Sequence, residues 1–257
     1  MQLLLRSFGT RLNLLSRTSV RNIATNSPRP STQSRSPWPR RLLYIAIFGA
    51  LGKLAGDQSE KLILHPITPG SAEDEAGLES IRKVFDALPM VQKLRENPDY
   101  VETEAYENFS EEKKRPRLTS GPMAGARGLG LQKVFWNDKD RELVNVVFFG
   151  PGLDGWPSMV HGGAIGTVID ESLGRAAIRH FPVRTGVTAN LNINYRAPVY
   201  SSRYYAFRTK LDQERSTDRK AYATCEVRDS QGRLCVEASG LFVVPKKFQL
   251  AEIGDRF

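Results

Sequence analysis

The stretch VHGGAIGTVIDESLGRAA, Val160 to Ala177, decides the fold. It opens with a histidine and two glycines and then places apolar residues at the three- and four-residue spacing of one helical face. We therefore predict one long helix from about Gly162 to Arg179. Asp170 and Glu171 interrupt the apolar pattern, and aspartate has poor propensity for the middle of a helix. The residues of the predicted buried face are Ile165, Val168, Ile169, Leu173, Ala176 and Ala177.

Strand patterns lie on both sides of this helix. Two runs rich in Val and Phe precede it, and four alternating runs follow it, with turn residues between neighbouring runs. A single helix among antiparallel strands predicts the α+β class, with the helix packed on a curved antiparallel sheet. The six runs occupy residues 128–137, 141–150, 187–198, 204–215, 219–229 and 233–245.

A helical arm precedes these strands. Ser71 followed by acids predicts a helix start, and the apolar stripe at Leu78, Ile81, Val84 and Phe85 predicts its packed face. Pro89 should break this helix into two. Residues 99–126 are charged and then rich in glycine and proline, so we interpret them as a connecting segment.

Basic charge is concentrated at the start of the chain. Residues 1–56 carry nine of the 37 basic residues and no acid, which leaves residues 57–257 with 28 of each. A nucleic-acid-binding domain keeps its basic excess in the folded part, so we expect no nucleic-acid partner. An acid-free segment rich in Arg, Ser and Leu is typical of a mitochondrial transit peptide. The alternative is a basic tail without a targeting role.

A short apolar segment follows at residues 42–56. Its uninterrupted part, Leu42 to Leu51, has ten residues, whereas a spanning helix needs about 20. Arg40, Arg41 and Tyr44 lie where interface anchors would lie. A marginal single span, an interfacial helix and a stop-transfer element remain open, and each predicts association with a membrane.

The resulting domain organisation has six parts. They are a transit peptide (1–23), a disordered linker (24–41), a short hydrophobic membrane-associated segment (42–56), a linker and helical arm (57–126), the α+β domain (127–246) and a tail (247–257).

Neither a metal nor a resident cofactor is expected. The two cysteines, Cys225 and Cys235, are interpreted as reduced core thiols, because a mitochondrial matrix does not favour disulfides. The sequence has no CxxC pair and no cluster of His and Cys, which argues against a structural zinc site. It also has no GxxxxGK or GxGxxG motif, so nucleotide hydrolysis and dinucleotide binding are not indicated.

The stretch VHGGAIGTVIDESLG, followed by VTANLNINYRAP from Val187, resembles the hotdog-fold acyl-CoA thioesterases. It is similar to fungal mitochondrial members and to animal thioesterase superfamily members with HGGAIATMID-type and TANLNI-type stretches. The resemblance covers roughly residues 128–245. It implies a curved sheet wrapped around one central helix, a homodimer or dimer of dimers, and active sites at the subunit interface.

Gly162 and Gly163 also indicate, on physical grounds, where a ligand could bind. A glycine lets a ligand approach the backbone closely, and the first amides of a helix lack internal partners at the positive end of its dipole. A developing oxyanion would be stabilised there. We assign the thioester carbonyl to the amide of Gly163, with Gly162 as the second choice. The alternative is a tight turn into a helix without any ligand.

Asp170 is the predicted catalytic carboxylate. It activates a water or attacks the carbonyl directly. Glu171 fits a solvated or salt-bridged acid better, because it lies about 100° further round the helix. The resemblance implies that Thr188 binds the water or orients Asp170, and that His161 orients the loop or polarises the thioester. The family's helper asparagine, six residues before the histidine, is replaced here by Gly155.

Coenzyme A is expected as part of the substrate. The resemblance places Asn194 and Arg196 along the pantetheine and phosphate path. Arg219 and Lys220, in the turn at residues 216–221, would bind the nucleotide end, since cations and backbone amides suit phosphates. An ordinary solvated turn is the alternative for this pair.

The sequence therefore predicts a metal-free mitochondrial acyl-CoA thioesterase of fatty acid metabolism, with medium or long acyl chains favoured by the membrane-proximal segment. A hotdog-fold enoyl-CoA hydratase or dehydratase, pairing His161 with an acid, is one alternative. A non-catalytic module that binds acyl-CoA or a membrane partner is the other, and Gly155 and the long N-terminal extension motivate it.

Overall fold

The structure, a computed structural model, describes residues 38–64, 68–246, 251 and 253. Side chains of residues 58–64 are outside this description. The predicted transit peptide (1–23), most of the predicted linker (24–41), His65 and most of the tail (247–257) also lie outside the described residues.

Five α-helices and nine β-strands are formed by the described residues. The helices are α1 (Trp38–Leu64), α2 (Ala72–Asp86), α3 (Pro89–Glu96), α4 (Glu111–Lys114) and α5 (Gly162–His180). The strands are β1 (Tyr100–Glu104), β2 (Leu129–Asn137), β3 (Glu142–Phe149), β4 (Asp154–Trp156), β5 (Met159–Val160), β6 (Val187–Tyr195), β7 (Arg203–Thr217), β8 (Lys220–Asp229) and β9 (Leu234–Val243).

Seven of the strands form one antiparallel sheet that packs against α5. Its order is β1-β2-β3-β7-β8-β9-β6, while β4 and β5 form a small separate ribbon. Val168, Ile169 and Leu173 on α5 are fully buried against sheet residues such as Phe207 and Cys225. The predicted helix and six strands are confirmed, and the architecture is the α+β hotdog fold, with one central helix against an antiparallel sheet.

Strand β3 is buried on both faces, which explains its nearly continuous apolar sequence. Val147 and Phe149 point to the core around α5. Val144, Val146 and Phe148 alternate with them and point to the opposite face. The sheet is therefore covered on its second face by other elements of the chain.

The arm formed by α2 and α3 provides this second cover. Ile81 and Phe85 of α2 pack with Val91 and Leu94 of α3 against the outer face of β2, β3 and β7. Ser71 caps α2 by accepting a hydrogen bond from the Asp74 amide at 3.2 Å, as predicted from the sequence. Of the predicted stripe, Val84 is 51% exposed and does not contribute to this packing.

The structure differs from prediction in the segment at residues 99–126. It contains strand β1, which the charged sequence YVETE did not indicate. β1 is one of the two edge strands of the sheet. Its Glu104 pairs with Lys133 of β2 at 2.6 Å. Glu102 in turn receives hydrogen bonds from Arg95 of α3 at 2.7 and 2.9 Å. Charged residues therefore suit this strand because their partners lie on the neighbouring elements.

Helix α1 begins before the predicted apolar segment and ends after it. Residues up to Gly56 form a unit separate from Asp57–Phe257. Large apolar side chains of α1 are exposed, among them Ile45 at 67% and Phe48 at 69%. In the part of the chain that the structure describes, no helix combines the length and the apolar character needed to cross a membrane.

Both cysteines are free and buried, which confirms the expected reduced thiols. Burial raises the pKa of the Cys225 thiol to about 12. This thiol therefore stays protonated at neutral pH and packs as a small core residue.

Candidate active site

Helix α5 begins at a histidine cap. His161 is the N-cap residue, and its Nδ1 accepts a hydrogen bond from the Gly163 amide at 2.9 Å. The His161 carbonyl accepts hydrogen bonds from the amides of Ala164 and Ile165, at 2.9 and 3.2 Å. The ring therefore satisfies one of the open amides that every helix start presents.

Gly162 holds the amide that this cap leaves open. In the part of the chain that the structure describes, its N–H donates no hydrogen bond. The N–H and C=O of a trans peptide point in opposite directions, so this N–H points away from the helix when the His161 carbonyl points into it. Our assignment of the carbonyl-binding amide to Gly163 is at odds with this geometry, because the Gly163 donor is engaged by His161. The second choice, Gly162, is the residue whose N–H stays open.

A cavity of about 530 Å³ adjoins this helix start. Its walls are mainly apolar, with the Gly162 backbone, the His161 ring and the Tyr195 ring among them. An apolar cavity with a few polar groups is the usual form of a small-molecule site. The lining residues are Gly155, Trp156, Met159, Val160, His161, Gly162, Ile165, Tyr195, Arg196, Ala197, Pro198 and Val199.

Asp170 and Thr188 form a second group of predicted site residues. The Thr188 hydroxyl, on β6, donates to Asp170 Oδ1 at 2.8 Å. Burial raises the pKa of Asp170, the hydrogen bond from Thr188 lowers it, and the nearby charge of Glu171 raises it again. The net direction is upward, because partial removal from water disfavours the carboxylate form. This places a carboxylate with enhanced basicity on the half-buried side of α5.

Glu171 has a structural role, as its position on the helix predicted. Its Oε1 accepts hydrogen bonds from the hydroxyls of Tyr106 and Thr119, both at 2.5 Å. Its Oε2 lies 3.2 Å from the guanidinium of Arg175, which is 2% exposed. Sequence reasoning missed Tyr106 and Thr119, because both lie in the segment interpreted as a connection. These contacts hold that segment on α5 next to Asp170.

The chain does not bring its two groups of site residues together. Eight residues separate Gly162 from Asp170, which corresponds to about 12 Å along a helix axis. Neither Asp170 nor Thr188 lines the cavity at Gly162. Within one chain, Asp170 in the middle of α5 is therefore well separated from Gly162 at its start.

Three of the four predicted coenzyme A residues are exposed. Arg196 lines the cavity, and its Nε donates to Glu237 Oε2 at 2.7 Å. Asn194 and Lys220 are exposed. Arg219 is half-buried, and its guanidinium donates to the Val244 carbonyl at 2.7 Å, so it braces the β8–β9 end of the sheet. Of the three cationic residues in this group, Arg196 and Lys220 are therefore more accessible than Arg219.

Gly155 has a steric reason to be a glycine. A Cβ atom at this position would lie 2.9 Å from the Cα atom and from the Cδ2 atom of His161. The family resemblance implies an asparagine at this position. An asparagine cannot fit here unless the His161 backbone moves. Among the described residues, no group of three or more His, Cys, Asp or Glu side chains is placed to hold a metal ion.

Comparisons with known proteins agree with this architecture. The family model of the thioesterase superfamily matches residues 158–236. An uncharacterized protein of Schizosaccharomyces pombe is 31% identical over 64% of this chain and 93% of its own length. The acyl-coenzyme A thioesterase THEM4 of Bos taurus is 36% identical over 45% of this chain, a match that spans only 47% of THEM4.

Two further proteins are also similar to this chain. The uncharacterized mitochondrial membrane protein FMP10 of Saccharomyces cerevisiae is 31% identical over 63% of this chain and 64% of its own length. The PaaI protein of Escherichia coli, a solved structure, is 11% identical with a TM-score of 0.38, over 41% of this chain and 74% of that chain.

The order of the strands around α5 and the cavity at the start of this helix define a hotdog-fold protein. The chain belongs to the thioesterase superfamily.

Replacing Thr188 by valine should raise the pKa of Asp170 further. The lost hydrogen bond favoured the charged form of the carboxylate, and its removal leaves the effect of burial unopposed. The measurement is an NMR titration of the Asp170 side-chain carboxyl carbon. Thr224→Val is the matched control, since Thr224 is an exposed strand threonine for which the described residues show no hydroxyl partner. An unchanged Asp170 titration in Thr188→Val would contradict the assigned bond.

Proposed function

We propose that this protein is an acyl-CoA thioesterase, which converts an acyl-CoA and water into a carboxylic acid and free coenzyme A. The observation that carries the proposal is the open amide of Gly162 at the start of α5, in a residue that lines a mainly apolar cavity. Asp170, held by Thr188, is the second element. Membership of the thioesterase superfamily and the similarity to THEM4 support the same activity.

The chemistry needs two groups on opposite sides of the thioester carbon. The Gly162 amide, at the positive end of the α5 dipole, binds the carbonyl oxygen as it gains negative charge. Asp170 takes a proton from the attacking water, or attacks the carbon itself and is released by water in a second step. In both routes the carbon–sulfur bond breaks, and coenzyme A leaves as its thiol after taking up a proton.

A second copy of the chain must supply one of these groups. The distance along α5 prevents Gly162 and Asp170 of one protomer from meeting at one carbon. Strand β6 forms an edge of the sheet, and most of its residues are exposed. An edge strand with open backbone groups is suited to pairing with another chain. A homodimer joined near β6 would place Asp170 of one protomer at Gly162 of the other.

The substrate's coenzyme A portion is assigned to Arg196 and Lys220. Arg196 lines the cavity wall, and Lys220 is the exposed first residue of β8 and does not line this cavity. Arg219 contributes through its backbone in this proposal, because its guanidinium is already bonded to Val244. The apolar cavity wall supports an aliphatic acyl group of medium or long chain.

A mitochondrial location and membrane association through residues 42–56 complete the proposal. The composition of residues 1–23 and the similarity to FMP10, a mitochondrial membrane protein, support the location. The exposed apolar side chains of α1, next to Arg40 and Arg41, support the membrane association.

A hydratase or dehydratase is less well supported. That chemistry would use His161 as an acid or base together with a nearby carboxylate. Here Nδ1 of His161 is an acceptor for the Gly163 amide, which in the neutral ring places the proton on Nε2. Asp170 lies nine residues further along the helix in the same chain, so it is not the nearby carboxylate that this chemistry requires.

Asp170→Asn should reduce acyl-CoA hydrolysis at least about 100-fold while leaving acyl-CoA binding nearly intact, because the amide cannot accept the water's proton. The raised pKa of Asp170 also means that the folded state disfavours its charged form, so stability falls as pH rises through that pKa. The variant should therefore not be less stable than the parent at neutral pH.

The measurements for Asp170→Asn are steady-state hydrolysis across acyl chain lengths, calorimetric binding of acyl-CoA and thermal unfolding at pH 7. Glu79→Gln is the control, since Glu79 is an exposed acid on α2 paired only with Lys83 among the described residues. Hydrolysis by Asp170→Asn at the parent's rate would remove Asp170 from the mechanism.

Gly162→Pro should strongly reduce hydrolysis because it deletes the proposed carbonyl donor and little else. Proline is well tolerated at the first position of a helix, and His161 already has the extended backbone, φ −58° and ψ 131°, that a residue before proline requires. Gly162→Ala is the matched control: it adds a similar Cβ, 3.2 Å from the Tyr195 hydroxyl, but keeps the N–H. We expect a loss of roughly 100-fold for proline relative to alanine.

The same variant tests the dimer. When Gly162→Pro and Asp170→Asn chains are co-expressed, mixed dimers have one site with both groups intact and should hydrolyse acyl-CoA far faster than either variant alone. Mixed dimers without activity would show that both groups act within one protomer or that one assignment is wrong.

Ile45→Glu combined with Phe48→Glu should release the protein from mitochondrial membranes into the supernatant after sedimentation, because charge opposes insertion into lipid. The control is Val84→Glu, which adds charge at an exposed valine of α2. If both proteins sediment with membranes, then α1 is not the attachment site.

A further inference from the structure

One peptide at the start of α5 is held at both of its ends by side chains. This peptide joins Gly162 to Gly163. Its carbonyl oxygen accepts a hydrogen bond from the Tyr195 hydroxyl at 2.7 Å, and its N–H donates to His161 Nδ1 at 2.9 Å. The His161 ring comes from the residue before the helix, whereas Tyr195 comes from the last position of β6.

The preceding peptide is also fixed. It joins His161 to Gly162, and its carbonyl accepts the amides of Ala164 and Ile165. The open N–H of Gly162 belongs to this peptide. Gly162 therefore lies between two peptides whose orientations are set by named hydrogen bonds.

Such fixation matters because Gly162 is a glycine. A residue without a side chain has a wide choice of backbone conformations, and a helix start is where frayed conformations are most accessible. An amide that binds a developing oxyanion contributes most when its direction is set before the reaction. Some other group must supply the restraint that a side chain at position 162 would have given.

We propose that Tyr195 is a positioning residue for catalysis, whose hydroxyl fixes the Gly162–Gly163 peptide and thereby aims the Gly162 amide at the substrate carbonyl. This inference rests on the proposed thioesterase function. Tyr195 acts through Gly162 and is not itself the carbonyl donor.

Several properties of Tyr195 suit this role. Its ring lines the cavity beside Gly162, where a Cβ added to Gly162 would lie 3.2 Å from the hydroxyl oxygen. Burial raises the pKa of Tyr195, so the hydroxyl remains a neutral donor throughout the physiological range. The side chain is 52% exposed, and the removal of one oxygen atom from it should leave the core unchanged.

Strand β6 thus supports both halves of the proposed machinery. Thr188, near its start, donates to Asp170, and Tyr195, at its end, donates to the Gly162 carbonyl. The strand that would pair with a second protomer is therefore hydrogen-bonded to the acid and to the helix-entry peptide of its own protomer.

Tyr195→Phe tests the proposal in the full-length protein. A single neutral hydrogen bond contributes about 0.5–1.5 kcal/mol, so we expect kcat for acyl-CoA hydrolysis to fall about 2- to 10-fold. KM should change less than 2-fold, roughly, because the phenylalanine ring keeps the apolar cavity wall. Tyr200→Phe is the matched control, because Tyr200 is a nearby exposed tyrosine that does not line the cavity and has no hydroxyl partner among the described residues.

A second measurement needs no substrate turnover. In protein labelled with ¹⁵N-glycine, Tyr195→Phe should shift the amide resonances of Gly162 and Gly163 and speed solvent exchange of the Gly163 amide, while Tyr200→Phe leaves both unchanged. Unchanged glycine resonances, an unchanged kcat, or a loss confined to KM would each overturn the proposal.

The two measurements separate this proposal from the proposed function. If the parent protein hydrolyses no acyl-CoA but the glycine amides respond, the peptide contact is real, and both its catalytic role and the thioesterase proposal are wrong. If the parent hydrolyses acyl-CoA and Tyr195→Phe does so equally well, only the role of Tyr195 fails.

Discussion

The hydrogen bond from the Gly163 amide to the His161 ring fixes the point at which helix α5 begins. This one contact sets which backbone amide stays open, and so where the positive end of the helix can act on a ligand. From this starting point, the apolar spacing of the helix turns Val168, Ile169 and Leu173 toward the sheet. With that orientation, Asp170 lies at the edge of the buried face, where Thr188 of β6 can reach it.

Much of this arrangement could be predicted from the sequence, because it depends on periodicity. The bounds of α5 and of six strands follow from apolar spacing and turn residues. Which glycine amide stays open could not be predicted, since it depends on the direction of the His161 ring. Tyr195 was not identified either, because a tyrosine at the end of a strand is common for packing alone. Strand β1 was missed because its stabilising partners, Arg95 and Lys133, are distant in sequence.

Two faces of the sheet serve different purposes. The inner face of β3 packs on α5, which carries the proposed catalytic groups, and the outer face packs on the arm of α2 and α3. Coverage of both faces leaves the edge at β6 as the sheet's accessible side near the site. The proposed assembly with a second copy follows from this, because the other edge is formed by β1 with its paired charges.

The bonds of Glu171 have a consequence for where the smallest autonomous folding unit begins. Two of its three polar contacts, Tyr106 and Thr119, come from the chain before residue 127, although Glu171 itself is in the central helix. We infer that a protein shortened to residues 127–246 would keep a largely buried carboxylate and a buried guanidinium while losing the hydroxyls that solvate them. The segment at residues 99–126 is therefore an integral part of the folded domain rather than an appendage to it.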